Sequence, residues 1–143
     1  MKRIISTMLV IVALFSFTSV AFAASDSAYW SSSVCRNSFV TSDYLSKTSS
    51  TYWTTINVTF NSVVHTPDNP NASYNTAIQI APRNASGQNI VPVGTYDPNM
   101  YHARFSDMEW SDNRIYLYIA NPNSGMNNPT NMASNGSFIG FHS

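Results

Sequence analysis

The sequence predicts an all-β fold, either a small antiparallel β-sandwich (Ig-like architecture) or a partly open barrel of about six to eight short strands. Short stretches in which apolar and polar residues alternate are separated by turns rich in Asn, Pro and Gly, and this alternation is typical of half-buried strands. Apolar residues never keep the i, i+3, i+4 and i+7 spacing of an amphipathic helix for three turns. The likeness to immunoglobulin domains is one of architecture, because a chain with one cysteine lacks their Cys–Trp–Cys arrangement.

The N-terminal segment, residues 1–23, has the pattern of a secretory signal peptide. Lys2 and Arg3 precede a mostly apolar run over residues 4–17. Ala21-Phe22-Ala23 then places small residues at positions −3 and −1 of a cleavage point. A retained membrane anchor is the alternative, since a spanning helix needs about 20 apolar residues. The A-x-A ending favours cleavage.

Cleavage after Ala23 leaves one secreted β domain, residues 24–143, in which 24–50 is the most polar part and partial disorder is an alternative. We expect it outside the cell, or in the periplasm if the source is Gram-negative; the short charged head of the signal is typical of bacteria. The domain carries five basic and seven acidic side chains, a net charge of −2. It has no basic stripe, so we expect neither nucleic acid nor an anionic lipid surface as partner.

Cys35 has no partner for a disulfide within the chain. We interpret it as a small apolar residue of the interior. An intermolecular disulfide is the alternative in an oxidising compartment. A catalytic thiol would need a neighbouring base or positive charge, and the local sequence has none.

Two stretches in the first half of the domain alternate clearly. In residues 52–60 one predicted face carries Ile56, Val58 and Phe60, and the opposite face carries Trp53 with Thr and Asn residues. Residues 74–81 repeat the pattern. Residues 65–71 between them contain two Pro and two Asn residues and are predicted to form a loop. Before residue 52 only short segments, at 28–30 and 37–40, favour a strand.

The middle of the domain reads as turns and short strands. Residues 82–93 resemble a hairpin around Asn84-Ala85-Ser86-Gly87, with Pro92 restricting the second arm to an edge. We predict a turn at 94–99, a strand at 101–105 and a polar turn at 107–113.

The last part of the chain contains the clearest strand, Arg114–Ala120. Its alternation predicts that Tyr116 and Tyr118 face outward, opposite three aliphatic side chains. A long polar loop is predicted over residues 121–135, followed by a short edge strand at 137–141.

No motif for catalysis or metal binding emerges. Cys35, His102 and Asp107 are the residue types of a hydrolase triad. A triad is recognised by the geometry of its side chains, however, and the sequence alone does not supply that geometry. Two oxygen-rich loops, residues 107–113 and 68–71, do not match the twelve-residue calcium template. We therefore expect no enzyme activity, no cofactor and no metal site.

Aromatic side chains on polar faces are the strongest functional signal. Trp53, Trp110, Tyr116 and Tyr118 are the candidate binding residues, because flat rings framed by Asn and Thr stack on sugars or grip a protein partner. The alternative is that these aromatic rings only cover the outer face of the sheet and bind nothing, since Tyr is a common residue of strands.

These observations favour a secreted protein that binds a protein or glycan at a cell surface or matrix without catalysis. A secreted bacteriocin, toxin or inhibitor and a self-assembling structural subunit of an extracellular matrix are the alternatives. The binding partner is unknown, and the mature chain has no apolar run that could span a membrane. A homo-oligomer, or an intermolecular disulfide through Cys35, stays open.

Overall fold

The computed structural model describes residues 24–48, 50–100 and 102–143. The predicted signal peptide, residues 1–23, lies outside the described residues, as does Tyr101 of a predicted strand. In the described part no helix is long and apolar enough to cross a membrane.

Two antiparallel sheets contain the strands of the described residues. In chain order these strands are β1 (Ala24–Cys35), β2 (Ser38–Val40), β3 (Leu45–Ser46), β4 (Trp53–Pro67), β5 (Ile78–Asn84), β6 (Gly94–Tyr96), β7 (His102–Phe105), β8 (Arg114–Ala120) and β9 (Thr130–His142). One 3₁₀ turn, Pro98–Met100, precedes β7. Sheet 1 has the order β1-β9-β4-β7, and sheet 2 has the order β2-β8-β5-β6 with β3 also paired to β8.

The two sheets pack face to face, so the predicted β-sandwich is confirmed. Its strands pair in a nested way: β1 with β9, β2 and β3 with β8, β4 with β7, and β5 with β6. This nesting is the double Greek key of a jelly roll. Immunoglobulin domains join their strands in a different order, so the likeness to them is architectural, as expected.

The core lies between the inner faces of the two sheets. The β8 prediction is confirmed in bounds and in facing, because Ile115, Leu117 and Ile119 are fully buried and the two tyrosines between them are half-buried on the outside. Each aliphatic side chain of this size contributes about 1.5–3 kcal/mol when it is fully buried.

Strand β9 is one of the two inner strands of sheet 1, whereas the sequence predicted a loop to residue 135 and an edge strand after it. The inner face of β9 carries the large side chains of Met132 and Phe138, but glycines at 136 and 140 interrupt the apolar alternation that would mark a strand. A Cβ on Gly136 would meet the Trp30 ring and the Thr59 carbonyl, and one on Gly140 would lie 2.5 Å from the Trp53 ring. The small residues therefore make room for two indoles from neighbouring strands.

A β-bulge in β4 reverses the predicted facing of Trp53. Its partner on β9 is His142, yet Thr55 pairs with the adjacent Phe141, so one extra residue lies between them. The bulge shifts the alternation by one position. Trp53 consequently joins Ile56 inside the core and is fully buried, and its assignment to the polar face is wrong.

Other differences concern element bounds. Strand β4 continues through the predicted loop to Pro67, supported by its pairing with β9. The segment Gly94–Tyr96 is a strand on β5, whereas a turn was predicted. Residues 74–77 precede β5 and are not part of it. The turn after Asn84 is confirmed: Gly87 there has φ +84°, a value that favours glycine.

Carboxylates bridge the two sheets where β1 meets β3. Asp26 of β1 accepts a hydrogen bond from the Ser46 backbone N–H at 2.5 Å. Asp43 accepts one from the Tyr29 backbone N–H at 3.1 Å. Charged side chains on an edge oppose pairing with another chain, so this side of the sandwich is protected against edge-to-edge association.

The close packing at β9 gives the first prediction. Gly136→Ala should lower the free energy of unfolding by about 1–3 kcal/mol, because the added methyl group overpacks the contact with Trp30 and Thr59. Urea denaturation followed by tryptophan fluorescence measures the change. Ser137→Ala, on the half-buried outer face of the same strand, is the control and should change stability by less than about 0.5 kcal/mol. Equal stability of the two variants would contradict the packing argument.

Candidate functional site

The four aromatic residues predicted to bind a partner do not form one surface. Tyr116 and Tyr118 lie together on the outer face of sheet 2. Trp53 is buried, with its indole N–H donating to the Asp112 carbonyl at 2.8 Å. Trp110 is half-buried against the core and pairs with Trp53 through the backbone. Two of the four are therefore interior residues or border the interior.

Trp110 is half-buried and packs against the core. Its indole N–H is buried and has no hydrogen-bond partner among the described residues. An indole that faced a ligand would present this donor to the outside. Trp110 thus contributes to packing beside β4, and we remove it from the candidate surface.

Three tyrosines and two arginines form the candidate site, which we call the tyrosine–arginine face. Its members are Tyr44, Arg83, Arg114, Tyr116 and Tyr118. Strand alternation places Arg114 on the same side of β8 as both of its tyrosines. Arg83 of β5 is directly opposite Tyr116. Tyr44, between β2 and β3, brings its ring to 5.2 Å from the ring of Tyr116.

The guanidinium groups lie over tyrosine rings. The Arg83 guanidinium carbon is 4.2 Å from the ring centre of Tyr118, and that of Arg114 is 4.9 Å from the ring centre of Tyr44. Such cation–π contacts contribute about 0.5–1 kcal/mol at exposed sites. Asn89 also accepts a hydrogen bond from Arg83 Nε at 2.9 Å. Both arginine side chains are therefore held in place.

Neither guanidinium has a carboxylate partner in the described part of the chain, where the one salt bridge joins Arg36 to Asp68 at 2.7 Å. The acidic residue next to Tyr44 is Asp43, whose oxygens accept hydrogen bonds from backbone N–H groups of Tyr29 and Tyr44. The face consequently presents two positive charges whose terminal N–H groups are free to bind an anion.

A second polar cluster lies where β4 and β9 leave the sandwich. His65 Nε2 is 2.9 Å from the Ala77 carbonyl, and its Nδ1 is 2.9 Å from the Thr130 hydroxyl. Since a carbonyl only accepts, Nε2 carries the proton and Nδ1 accepts. The amide of Asn123, fully buried, donates to the Asn75 carbonyl at 2.6 Å.

This cluster joins two loops to the end of sheet 1. Asn121 extends it by donating to the Thr130 carbonyl at 2.7 Å, and the Asn128 amide donates to backbone carbonyls of residues 69, 72 and 73. Burial lowers the pKa of His65, against hydrogen bonds to the backbone of Ala77 and Thr76 that raise it. Because its polar groups are used internally, the cluster has a structural role in fixing the loops.

The residues of the hypothetical triad do not meet. Cys35 is at the end of β1 and His102 is on β7, the opposite edge strand of sheet 1. Three strand spacings separate these edges by about 14 Å. Burial also raises the pKa of the Cys35 thiol, which makes the thiolate scarcer. Within the described ranges no three His, Cys, Asp or Glu side chains are grouped so as to hold a metal ion.

Sequence reasoning missed three members of the tyrosine–arginine face. Arg114 could have been predicted from the sequence, because it precedes Tyr116 by two residues on a strand whose bounds were predicted correctly. Arg83 lay beyond the predicted end of its strand. Tyr44 is in a segment without periodicity and joins the face through a tertiary contact, for which the sequence has no local signal.

The His65 cluster predicts a pH dependence of stability. A folded-state pKa below the unfolded value of about 6.5 means that the unfolded chain binds the proton more tightly. The stabilising contribution is therefore complete above about pH 6.5 and is lost as the pH falls toward the lowered pKa. Urea denaturation between pH 8 and pH 4.5 should show this loss, and His65→Gln should show less of it. Parallel pH profiles for the two proteins would contradict the role given to His65.

Comparison with known proteins adds no relative: no family model matches the chain, and neither a curated protein nor a solved structure shows a significant match.

Proposed function

We propose that the protein is a secreted β-sandwich that acts without catalysis by binding a glycan at a cell surface or matrix through the tyrosine–arginine face. The observation that carries this proposal is the layer of tyrosine rings and unpaired guanidinium groups on the outside of sheet 2. Rings provide flat apolar surfaces for sugars, and the N–H groups of arginine provide donors for their oxygens.

A glycan fits this face better than a protein does. Specific protein interfaces bury about 800 Å² per partner around an apolar centre. The three tyrosines of the face are only half-exposed. Val40, which pairs with Tyr118, adds an exposed aliphatic side chain beside them. Polar side chains such as Gln79 and Thr95, which hydrogen-bond to each other at 3.3 Å, continue the face across β5 and β6.

Secretion is supported by the sequence pattern of residues 1–23, in which a short positive head and an apolar run precede an A-x-A ending.

Self-assembly is a second candidate function, favoured by the outer face of sheet 1. Val34 of β1 and Val64 of β4 both pair with Ala133 of β9, and they are 72% and 54% exposed. Tyr29 and Ile139 add exposed apolar surface on the same side. Since carboxylates protect the edge at β1, association would occur face to face. Cys35 is on the inner side of its strand, which disfavours an intermolecular disulfide.

Replacing the two outward tyrosines of β8 tests the glycan proposal. The double variant Tyr116→Leu/Tyr118→Leu keeps an apolar cover on the sheet but removes the flat rings. It should weaken binding by about five- to 150-fold, since two aromatic contacts contribute about 1–3 kcal/mol together. The measurement is affinity electrophoresis through a panel of neutral and acidic polysaccharides.

The matched control removes two tyrosines elsewhere. Tyr29 and Tyr52 are 63% and 53% exposed and are outside the tyrosine–arginine face. Tyr29→Leu/Tyr52→Leu should bind like the unmodified protein, and circular dichroism should show that both variants are folded. If the Tyr116/Tyr118 variant is folded and binds unchanged, or if no polysaccharide binds at all, the proposal fails.

Light scattering distinguishes the second candidate. Self-assembly predicts a mass that rises with protein concentration and falls on Val34→Lys/Val64→Lys, because the new charges oppose burial of that face. A monomeric mass at all concentrations up to about 1 mM, a range in which even weak association is visible, would exclude it.

A further inference from the structure

We infer that the glycan bound at the tyrosine–arginine face is a polyuronate, a polysaccharide whose carboxylate groups are bound by Arg83 and Arg114. This inference rests on the proposed function and names the class of glycan. Its starting point is charge: two guanidinium groups lie on one face without a carboxylate partner among the described residues. An anionic ligand supplies that partner.

The two arginines are preorganised for this task. The guanidinium of Arg83 lies over the ring of Tyr118, and Arg83 Nε donates a hydrogen bond to the Asn89 side chain. Tyr44 supports Arg114 in the same manner. A guanidinium that is already held loses less conformational entropy when it binds. Its planar array of N–H donors also matches the two oxygens of a carboxylate.

Rings and charges lie next to one another on the face. Arg114, Tyr116 and Tyr118 follow one another along β8, and Arg83 lies opposite Tyr116 on the next strand. Same-face residues are about 7 Å apart along a strand, and neighbouring strands are about 4.8 Å apart. The Cα atoms of Arg83 and Arg114 are thus separated by about 8 Å. A polyuronate presents a matching sequence of flat sugar rings and carboxylates.

Two carboxylates lie near the face. Asp26 accepts hydrogen bonds from the backbone N–H and the hydroxyl of Ser46, the residue paired with Arg114. Asp43 is occupied by two backbone N–H groups. Lys47 donates to the backbone carbonyls of Thr51 and Ser111 at 2.6 and 2.9 Å, and Asp112 lies close enough to raise the pKa of Lys47, against the larger lowering by burial. Neither nearby carboxylate forms a salt bridge with Arg83 or Arg114 among the described residues, so the face offers two separate positive groups, which suits a ligand with spaced carboxylates. A nucleic acid, with its dense phosphates, fits a basic stripe instead.

The test compares polygalacturonate with its carboxyl-reduced, neutral form. Isothermal titration calorimetry at low salt should give at least tenfold tighter binding of the acidic polymer, and 0.5 M NaCl should remove most of this preference because salt screens exposed charges. Dextran sulfate and single-stranded DNA serve as polyanions without carboxylates and should bind more weakly than polygalacturonate.

Arginine variants test whether Arg83 and Arg114 cause the preference for the acidic polymer. Arg83→Gln/Arg114→Gln should bind both polymers equally, and Arg83→Lys/Arg114→Lys should recover only part of the preference, because lysine lacks the planar fork. Arg36→Gln/Arg104→Gln, which removes two arginines elsewhere, should keep it. Melting temperatures verify that each variant is folded.

The outcomes distinguish failure of the polyuronate inference from failure of the proposed glycan binding. Equal binding of acidic and neutral polymer by the unmodified protein, or a preference that survives in the folded Arg83/Arg114 glutamine variant, overturns the polyuronate while leaving a glycan-binding face. Equal or tighter binding of dextran sulfate or DNA overturns it as well. If the unmodified protein binds none of the polysaccharides, both the inference and the proposed function fail.

Discussion

The close approach of two tryptophans to the glycines of β9 is the contact on which the sandwich depends. Gly136 lies beneath Trp30 and Gly140 beneath Trp53, and Leu45 of sheet 2 reaches the same glycine. The indoles fill the space that larger side chains on β9 would take. Trp30 also donates to the Ser134 hydroxyl at 3.3 Å. The two glycines of β9 thereby allow side chains from both neighbouring strands of sheet 1 and from sheet 2 to pack against its backbone.

The tyrosine–arginine face follows from this packing. Strand β8 supplies three buried aliphatic side chains to the core, so its alternate residues must face outward. Ala81, directly opposite Tyr118 on β5, has no solvent exposure although it is on the outer side. Large side chains thus cover the sheet there. The same rings that cover the sheet also lie against the guanidinium groups of Arg83 and Arg114, so these positions combine a structural role with the binding role that we propose.

Regular alternation made part of the fold and of the site predictable. Arg114–Ala120 alternates without interruption, so its bounds, its inner residues and its two outward tyrosines followed from the pattern. Trp53 was placed on the wrong face because a bulge inserts one residue into β4, and a bulge has no signature in the side-chain alternation. Of β9 only residues 137–141 were predicted as a strand. The first half and the inner position of the strand were not predicted, because Gly136 is small to fit the ring of Trp30, a residue distant in sequence. Tyr44 and Arg83 depend on contacts that only the folded chain creates.

The pairing of β1 with β9 has a consequence for the order of events in folding. Ala24 pairs with His142 and Cys35 with Met132, so the first described strand has its neighbour in the last one. β9 also separates β1 from β4, so sheet 1 lacks its central strand until Thr130–His142 is available. Contacts between such distant segments slow folding. A chain emerging from its N-terminus onward can therefore complete sheet 2 first, while β1 has no strand partner until the thirteen residues of β9 follow.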